Sequence, residues 1–162
     1  MALPLVEQLR FARSELVRGL GDVTEEDGCR RVAAMNSIGW MVGHLAWQEQ
    51  RYWLTTAQGI TPYPELMESH AYGKPATTPS IAEMWAVWRA VTAAADAWLD
   101  TLTVARLDEP LVAGRGSVGT FLLRNIYHIW FHLGEGMAVR QVLGQGNLPD
   151  FVGNIDGEAP YR

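Results

Sequence analysis

The chain has 162 residues, 48% of them hydrophobic and 19% charged, and its net charge of -5 argues against a protein that binds along nucleic acid. A single cysteine excludes an internal disulfide, no apolar run is long enough to cross a membrane, and the N-terminus lacks the basic and apolar regions of a secretory signal. We therefore expect one domain over residues 1–162, located in the cytoplasm, that binds neither nucleic acid nor a membrane.

Helical periodicity is the main pattern along the chain. Apolar residues recur every three or four positions, beginning with Leu5 and Leu9, and this spacing is typical of a helix with one buried face. Start and stop residues agree with the periodicity: Ser80 and Glu83 have the spacing of a capping box, and Gly144 follows the last helix. The predicted long helices cover residues 4–19, 37–57, 80–102 and 117–143, and a short helix is predicted over about 24–33.

Proline and glycine mark the connections between these helices. Residues 59–79 contain four prolines and two glycines, and residues 103–116 and the tail 145–162 are also predicted to be irregular. A connection as long as 59–79 can cross the whole length of a bundle and leave the helices before and after it parallel. The sequence therefore predicts an all-α protein, a four-helix bundle with a long crossover connection between helices 2 and 3.

The most informative pattern is a pair of histidines in the last predicted helix, His128 and His132. Four residues turn a helix by about 400°, so the two imidazoles lie about 40° apart on one face, where they can hold one metal ion. His44 lies in the second long helix. If the two helices pack face to face, three imidazoles converge and a fourth coordination position stays open. Such a ligand set suits a divalent metal, zinc or nickel first and also iron or copper.

Two segments carry these histidines in a recognisable context, SIGWMVGHLAWQEQRYW at 37–53 and NIYHIWFHLGEGMAVRQVLG at 125–144. Both segments, together with the order of the predicted helices, resemble the DinB-like superfamily, also called DinB/YfiT-like. The resemblance implies a four-helix bundle that is often dimeric, with a divalent metal held by His44, His128 and His132. Relatives in bacteria that lack glutathione use low-molecular-weight thiols such as mycothiol or bacillithiol as cosubstrates, whereas many members have no known activity. The resemblance therefore implies a bacterial, thiol-dependent enzyme.

Three polar residues are spaced to lie near the histidines. Glu135 is about 20° from His128 on the helical wheel, and it is either a partner of a metal ligand or a general base, the alternative being a surface carboxylate. Gln48 is one turn after His44 and is expected to line the same cavity. Arg124 is one turn before His128 and could receive an anionic group of a substrate or cofactor, although a snorkelled or salt-bridged arginine is its more ordinary role.

The predicted function follows from the ligand type and from what the sequence lacks. A metal with an open position lowers the pKa of a bound thiol or water, and the single cysteine, Cys29, has no visible base partner. We therefore expect a metal-dependent transferase in which a small thiol supplies the nucleophile. A metal-dependent hydrolase and a non-catalytic metal- or small-molecule-binding stress protein are the alternatives.

Two further expectations concern assembly and the fourth histidine. Seven tryptophans, and a last helix that is apolar on more than one side, predict a homodimer. His70 lies in the proline-rich connection and is expected to be solvated rather than part of the site.

Overall fold

The computed structural model describes residues 3–150 and 152–161, and this part of the chain is mostly helical and contains no strand. The all-α prediction is confirmed. None of the described helices is both long and apolar enough to cross a membrane. The helices are α1 (Pro4–Leu20), α2 (Glu25–Cys29), α3 (Ile38–Glu49), α4 (Glu65–Ser69), α5 (Ile81–Leu99), α6 (Val104–Asp108), α7 (Val118–Val142) and α8 (Ile155–Glu158), and α3 continues into a π-helical segment, Gln50–Thr56.

Side-chain caps explain where the long helices begin. The hydroxyls of Ser37, Ser80 and Ser117 each accept a hydrogen bond from the backbone N–H three residues later, at the starts of α3, α5 and α7. Each cap satisfies a donor that the first helical turn leaves without a partner. α1 begins at Pro4, whose fixed φ and missing N–H suit the first turn. The four long helices therefore begin within one residue of the predicted positions.

Contacts at both ends of α3 and α5 show that these helices run in the same direction. Gly39, near the start of α3, packs against the backbone of Ile81 at the start of α5. Where α3 continues as the π-helical segment, the ring of Trp53 stacks on Trp98 near the end of α5, with centroids 5.6 Å apart. The connection between the two helices therefore runs back along their length, which agrees with the crossover that its size predicts.

α1 and α7 are also parallel to each other. Leu5 lies against Gly119 near the start of both helices, and Gly19 lies against Leu133 farther along. A Cβ atom at Gly19 would overlap the Leu133 side chain, so the missing side chain allows α1 and α7 to approach closely.

α7 runs antiparallel to α3, and this pairing brings two of the predicted ligands together. The ring of Tyr52 lies 4.8 Å from that of Phe121 between centroids, whereas His44 lies 5.2 Å from His132, at the opposite end of the contact. The surrounding core is made of apolar side chains from all four long helices. Its fully buried members include Leu9, Leu16, Ile38, Met41, Leu45, Trp53, Leu99, Leu122 and Ile129.

A buried ion-pair network ties α1 to α3 and α5. Both carboxylate oxygens of Glu49 accept hydrogen bonds from Arg13, at 2.8 and 2.7 Å, and Arg13 also pairs with Asp96 at 2.9 Å. Pairing of this kind offsets the cost of removing the charges from water. Glu49 is five residues after His44, about 140° round the helix, so its carboxylate serves the packing of α1 and not the histidine face.

Short helices occur in all three segments that the sequence predicts to be irregular. The connection 59–79 contains α4, and the connection 103–116 contains α6. The starts of both helices carry local signals: two acidic residues occupy the first turn of α4, and the Thr103 hydroxyl caps α6. The predicted tail likewise contains α8, and the short helix predicted over 24–33 ends at Cys29. Proline and glycine in a segment therefore do not exclude a helix of about one turn between them.

The largest local difference is the π-helical segment. The sequence predicts a regular helix over 37–57, but hydrogen bonds in Gln50–Thr56 join residues five apart rather than four. The Thr56 hydroxyl donates to the backbone carbonyl of Arg51 at 2.6 Å, which satisfies an acceptor inside the irregular stretch. Apolar periodicity cannot reveal this segment, because only residues 57 and 58 of the helix follow it, too few to show the shift in phase that one extra residue causes.

Candidate metal centre

Three histidines from two antiparallel helices converge at one end of the α3–α7 contact. His44 comes from α3, and His128 and His132 come from adjacent turns of α7. One ring nitrogen from each lies within 4.8 Å of the others. His44 and His132 are buried and His128 is partly exposed. The face-to-face packing expected for the two helices is therefore present, and the cluster could hold a metal ion.

A loop carbonyl sets the orientation of His44. The His44 Nδ1 atom lies 2.6 Å from the backbone oxygen of His70. A carbonyl oxygen can only accept, so Nδ1 carries the proton and Nε2 presents its lone pair to the other histidines. The rings of Trp40 and Trp47 stack on His44 with centroids 4.8 and 5.2 Å away, and they limit rotation of the imidazole.

A carboxylate sets the orientation of His132. Its Nδ1 atom lies 2.7 Å from Oε2 of Glu135, three residues farther along α7. An ionised carboxylate can only accept, so Nδ1 again carries the proton and Nε2 is the free nitrogen. Carboxylate partners of this kind fix the ring and increase the basicity of a metal-binding imidazole. Glu135 thus contacts a predicted ligand directly, through the nitrogen that faces away from the cluster.

A chain of buried hydrogen bonds sets the orientation of His128. The indole N–H of Trp53 can only donate, and it donates to Oδ1 of Asn125 at 2.7 Å. The Asn125 amide nitrogen therefore faces Gln48 and donates to its Oε1 at 3.3 Å. That same oxygen lies 2.7 Å from Nδ1 of His128, which must then donate. The buried tryptophan thus determines which nitrogen of His128 remains free.

The three free nitrogens fit a cation better than they fit one another. With Nδ1 protonated in each ring, every Nε2 is an acceptor, and those of His128 and His132 are 3.0 Å apart. Two lone pairs at this distance repel unless a proton or a cation lies between them. A metal ion about 2.0–2.1 Å from each of two nitrogens holds them at about this separation, so the donor set suits a divalent metal.

Burial keeps two of these imidazoles in the form that binds metal. It lowers the pKa of His44 to about 4 and that of His128 to about 3, and the neighbouring histidines add to both effects. A neutral imidazole is the coordinating form. Both rings are therefore ready to bind a metal at neutral pH without losing a proton first.

Of the other predicted residues, Gln48 lies at the cluster and Arg124 does not. Gln48 touches His128 through its side-chain oxygen, whereas Arg124 is exposed and its guanidinium lies over the ring of Phe121, 5.7 Å from the centroid. Among the described residues no carboxylate pairs with Arg124, so the structure shows no salt bridge for it, and its anion-binding role stays a prediction.

The prediction that His70 is solvated is wrong. This residue is 4% exposed rather than solvated, and its carbonyl orients His44 although its ring is not one of the three that converge. Gly43 is the residue in the sequence that could have indicated the burial of His70. A Cβ atom there would overlap the His70 ring, so the glycine before His44 allows the connection to pack onto α3.

Comparison with known families agrees with this geometry. The model of the DinB superfamily matches residues 8–135. The chain belongs to the DinB superfamily. The resemblance seen in the sequence is confirmed, and the match contains His44, His128, His132 and Glu135. DinB proteins are metal-binding, as the histidine cluster of this chain also indicates. No curated protein matches the chain.

Proposed function

We propose that this DinB protein binds a divalent metal ion through the Nε2 atoms of His44, His128 and His132. The observation that carries the proposal is that each Nδ1 has its own acceptor, which leaves three imidazoles with a free lone pair on Nε2 in a cluster whose ligand atoms lie within 4.8 Å of one another. Zinc and nickel are the metals we expect first, with iron and copper as alternatives, because imidazole suits all four and availability selects among them.

Metal content tests the ligand assignment. Natively purified protein should contain about one metal ion per chain by elemental analysis, as expected for a single site with three ligands. The His128→Ala, His132→Ala double variant should contain none and still give a helical circular dichroism spectrum. His70→Ala is the matched control, because it removes a buried histidine whose carbonyl, and not its ring, serves the cluster. Metal retained by the double variant would contradict the assignment.

For the reaction, we infer a metal-dependent transferase that uses a low-molecular-weight thiol, of the mycothiol or bacillithiol type, as cosubstrate. A metal with an open position lowers the pKa of a thiol bound there. The single cysteine, Cys29, hydrogen-bonds outside the cluster, so the nucleophile has to come from a substrate. Glu135, whose side chain is 20% exposed, bonds Nδ1 of His132, so of its two predicted roles we propose that of partner to a metal ligand, with general base for the thiol proton as the alternative.

Cobalt-substituted protein provides the test of the thiol proposal. Adding mycothiol, bacillithiol or a mimic should produce a sulfur-to-metal charge-transfer band, and the His44→Ala variant should not produce it. Turnover with electrophilic acceptors then separates a transferase from a binding protein. Spectra that stay unchanged across a panel of thiols at millimolar concentration would reject the thiol proposal in favour of a hydrolase acting on esters or amides, or of a non-catalytic stress protein.

We further propose that residues 1–162 form one cytoplasmic four-helix-bundle domain that assembles as a homodimer. α7 exposes a stripe of large apolar side chains at four-residue intervals, Leu123, Tyr127 and Phe131, which are 37%, 65% and 66% exposed. Exposed apolar stripes of this kind usually mark an interface. Light scattering should give twice the mass of one chain, and a monomer mass at micromolar concentration would contradict the dimer.

A further inference from the structure

A polar cavity lies at the end of the α3–α7 contact where Tyr52 meets Phe121, opposite the end that holds His44 and His132. It has a volume of about 340 Å³ and is bounded by the π-helical segment, by α7 and by residues of the connection that precedes α7. Its lining includes Arg51, Arg115 and Arg124 and contains no acidic residue. The chain as a whole carries a net charge of -5, so a cavity with three cations and no carboxylate is a local reversal of charge.

The three guanidinium groups have no carboxylate partner among the described residues. Arg51 lies over the ring of Trp47 and Arg124 over that of Phe121, at 5.4 and 5.7 Å from the centroids. An aromatic face stabilises a cation and holds it in place without neutralising its charge. The N–H donors of these arginines are therefore available to a ligand.

The π-helical geometry assembles one wall of the cavity. In a regular α-helix five residues turn about 500°, so Arg51 and Thr56 would lie about 140° apart. Hydrogen bonds between residues five apart place them on one face instead, and both line the cavity together with Tyr52. The irregular segment thus places Arg51 and Thr56 on the same wall of the cavity, and π-helical stretches of this kind occur frequently at functional sites.

Tyr52 connects this cavity to the histidine cluster. Gln48 donates to the Tyr52 hydroxyl at 3.4 Å and accepts from His128 at 2.7 Å, through opposite ends of its amide. Along α7, Arg124 precedes His128 by four residues, which is about 6 Å of helix rise. A small molecule held by the arginines would have to span at least this distance to reach the histidines.

We propose that Arg51, Arg115 and Arg124 bind the carboxylate or phosphate group of a small molecule whose other end lies at the histidine cluster. Guanidinium groups bind both oxyanions through paired N–H donors. The placement of the other end rests on the proposed function, because it assumes that the cluster binds the reacting group. The anion site itself depends on the arginines and not on a metal.

Calorimetric titration of the natively purified protein with inorganic phosphate, and separately with succinate, tests the anion site and distinguishes the two sources of oxyanion. Arg51→Gln, Arg115→Gln and Arg124→Gln should each weaken binding of the preferred anion about tenfold or more, the usual loss for a hydrogen bond to a charged group. Arg89→Gln is the matched control, because Arg89 is also exposed and has no carboxylate partner among the described residues but lies on α5 outside the cavity. Lysine variants at the three positions repeat the test if a glutamine variant fails to fold, since they keep the charge and lose the paired donors.

The proposal would be overturned if neither anion bound at millimolar concentration. Equal losses of affinity in the cavity variants and in Arg89→Gln would also overturn it.

A second titration tests whether a ligand of the arginines also extends to the histidines. Mercaptoalkanoic acids of increasing length are compared with the mercaptoalcohols of the same length on cobalt-substituted protein. The acids should bind more tightly once their chain is long enough to span the gap, which is at least about 6 Å, and Arg124→Gln should remove this advantage. If no thiol binds, the proposed function fails while the phosphate and succinate titrations still decide the anion site. If thiols bind but acids and alcohols bind equally, the link between the two sites is wrong.

Discussion

Replacing Gln48 by leucine should weaken metal binding without removing any of the three histidines. Gln48 accepts the hydrogen bond from Nδ1 of His128 at 2.7 Å, and this bond fixes which nitrogen of the ring is free. Leucine has nearly the same size and no acceptor, so His128 loses both its orientation and part of its basicity. Removal of such a partner typically weakens metal binding about 10- to 100-fold, which corresponds to about 1.4–2.7 kcal/mol.

The same substitution should also lower stability. It removes the acceptor for the Asn125 amide, 3.3 Å away, and the donor to the Tyr52 hydroxyl. Asn125 is fully buried, so its N–H cannot turn to water for a replacement. An unsatisfied buried group costs about 1–3 kcal/mol, and the added apolar burial of leucine offsets part of this cost. We expect a net loss of about 1–3 kcal/mol in the free energy of unfolding.

Competition with a chromophoric chelator measures the affinity, and denaturant unfolding of the metal-free protein measures the stability. Gln50→Leu is the matched control. Gln50 is also buried, and its amide bonds to the backbone of Tyr63 at 2.9 and 2.8 Å rather than to a histidine. It should lose comparable stability and keep the wild-type metal affinity. Wild-type affinity in Gln48→Leu, or equal affinity losses in the two variants, would refute the role assigned to Gln48.

Two other predictions concern the pH dependence of the free energy of unfolding and the role of Gly43. In the metal-free protein, the free energy of unfolding should fall as the pH drops from about 6.5 towards about 4. Unfolded histidines take up protons in that window, whereas His44 and His128, with pKa lowered to about 4 and about 3, stay neutral in the folded protein. Denaturant unfolding at a series of pH values measures this, and constant stability over the window is the contrary result. Gly43→Ala should lower both stability and metal affinity, because its methyl group overlaps the ring of His70, whose carbonyl orients His44. In Gly134→Ala the methyl group meets no atom within 4 Å, so this control should gain up to about 1 kcal/mol of stability. Equal effects of the two alanines on chelator competition would show that the contact with His70 is unimportant.

Local sequence signals were sufficient for the long helices and for the histidine pair. Ser80 and Ser117 cap helices where the sequence places them, because a cap depends on residues a few positions away. His128 and His132 share a face for the same reason, since helix geometry alone relates them. The convergence of His44 needed the packing of α3 against α7, and it was expected only on the condition that these helices meet.

Local sequence signals could not predict interactions made by the backbone or between segments far apart in the chain. The acceptor for His44 is the main-chain oxygen of residue 70, which any amino acid provides and no composition reveals. Arg51, Arg115 and Arg124 come from three separate parts of the chain and meet only in the folded protein. The prediction of a solvated His70 was wrong for a similar reason. Proline content indicates that a segment is irregular, but it does not indicate whether the side chains of that segment are buried.

The π-helical segment has a consequence for how this site changes by mutation. Such a segment behaves as a regular helix that holds one residue more than its length requires. Deleting a single residue from Gln50–Thr56 should let the helix close into an ordinary α-helix, with α3 before it and, after it, Gly59, whose positive φ ends the helix, still in place. Arg51 and Thr56 would then no longer lie on the same face of the helix. His44 and Gln48 precede the deleted residue and would keep their positions. The loss or gain of one codon could thus change one wall of the arginine cavity in a single evolutionary step, while the three histidines, which lie outside the segment, stay in the chain.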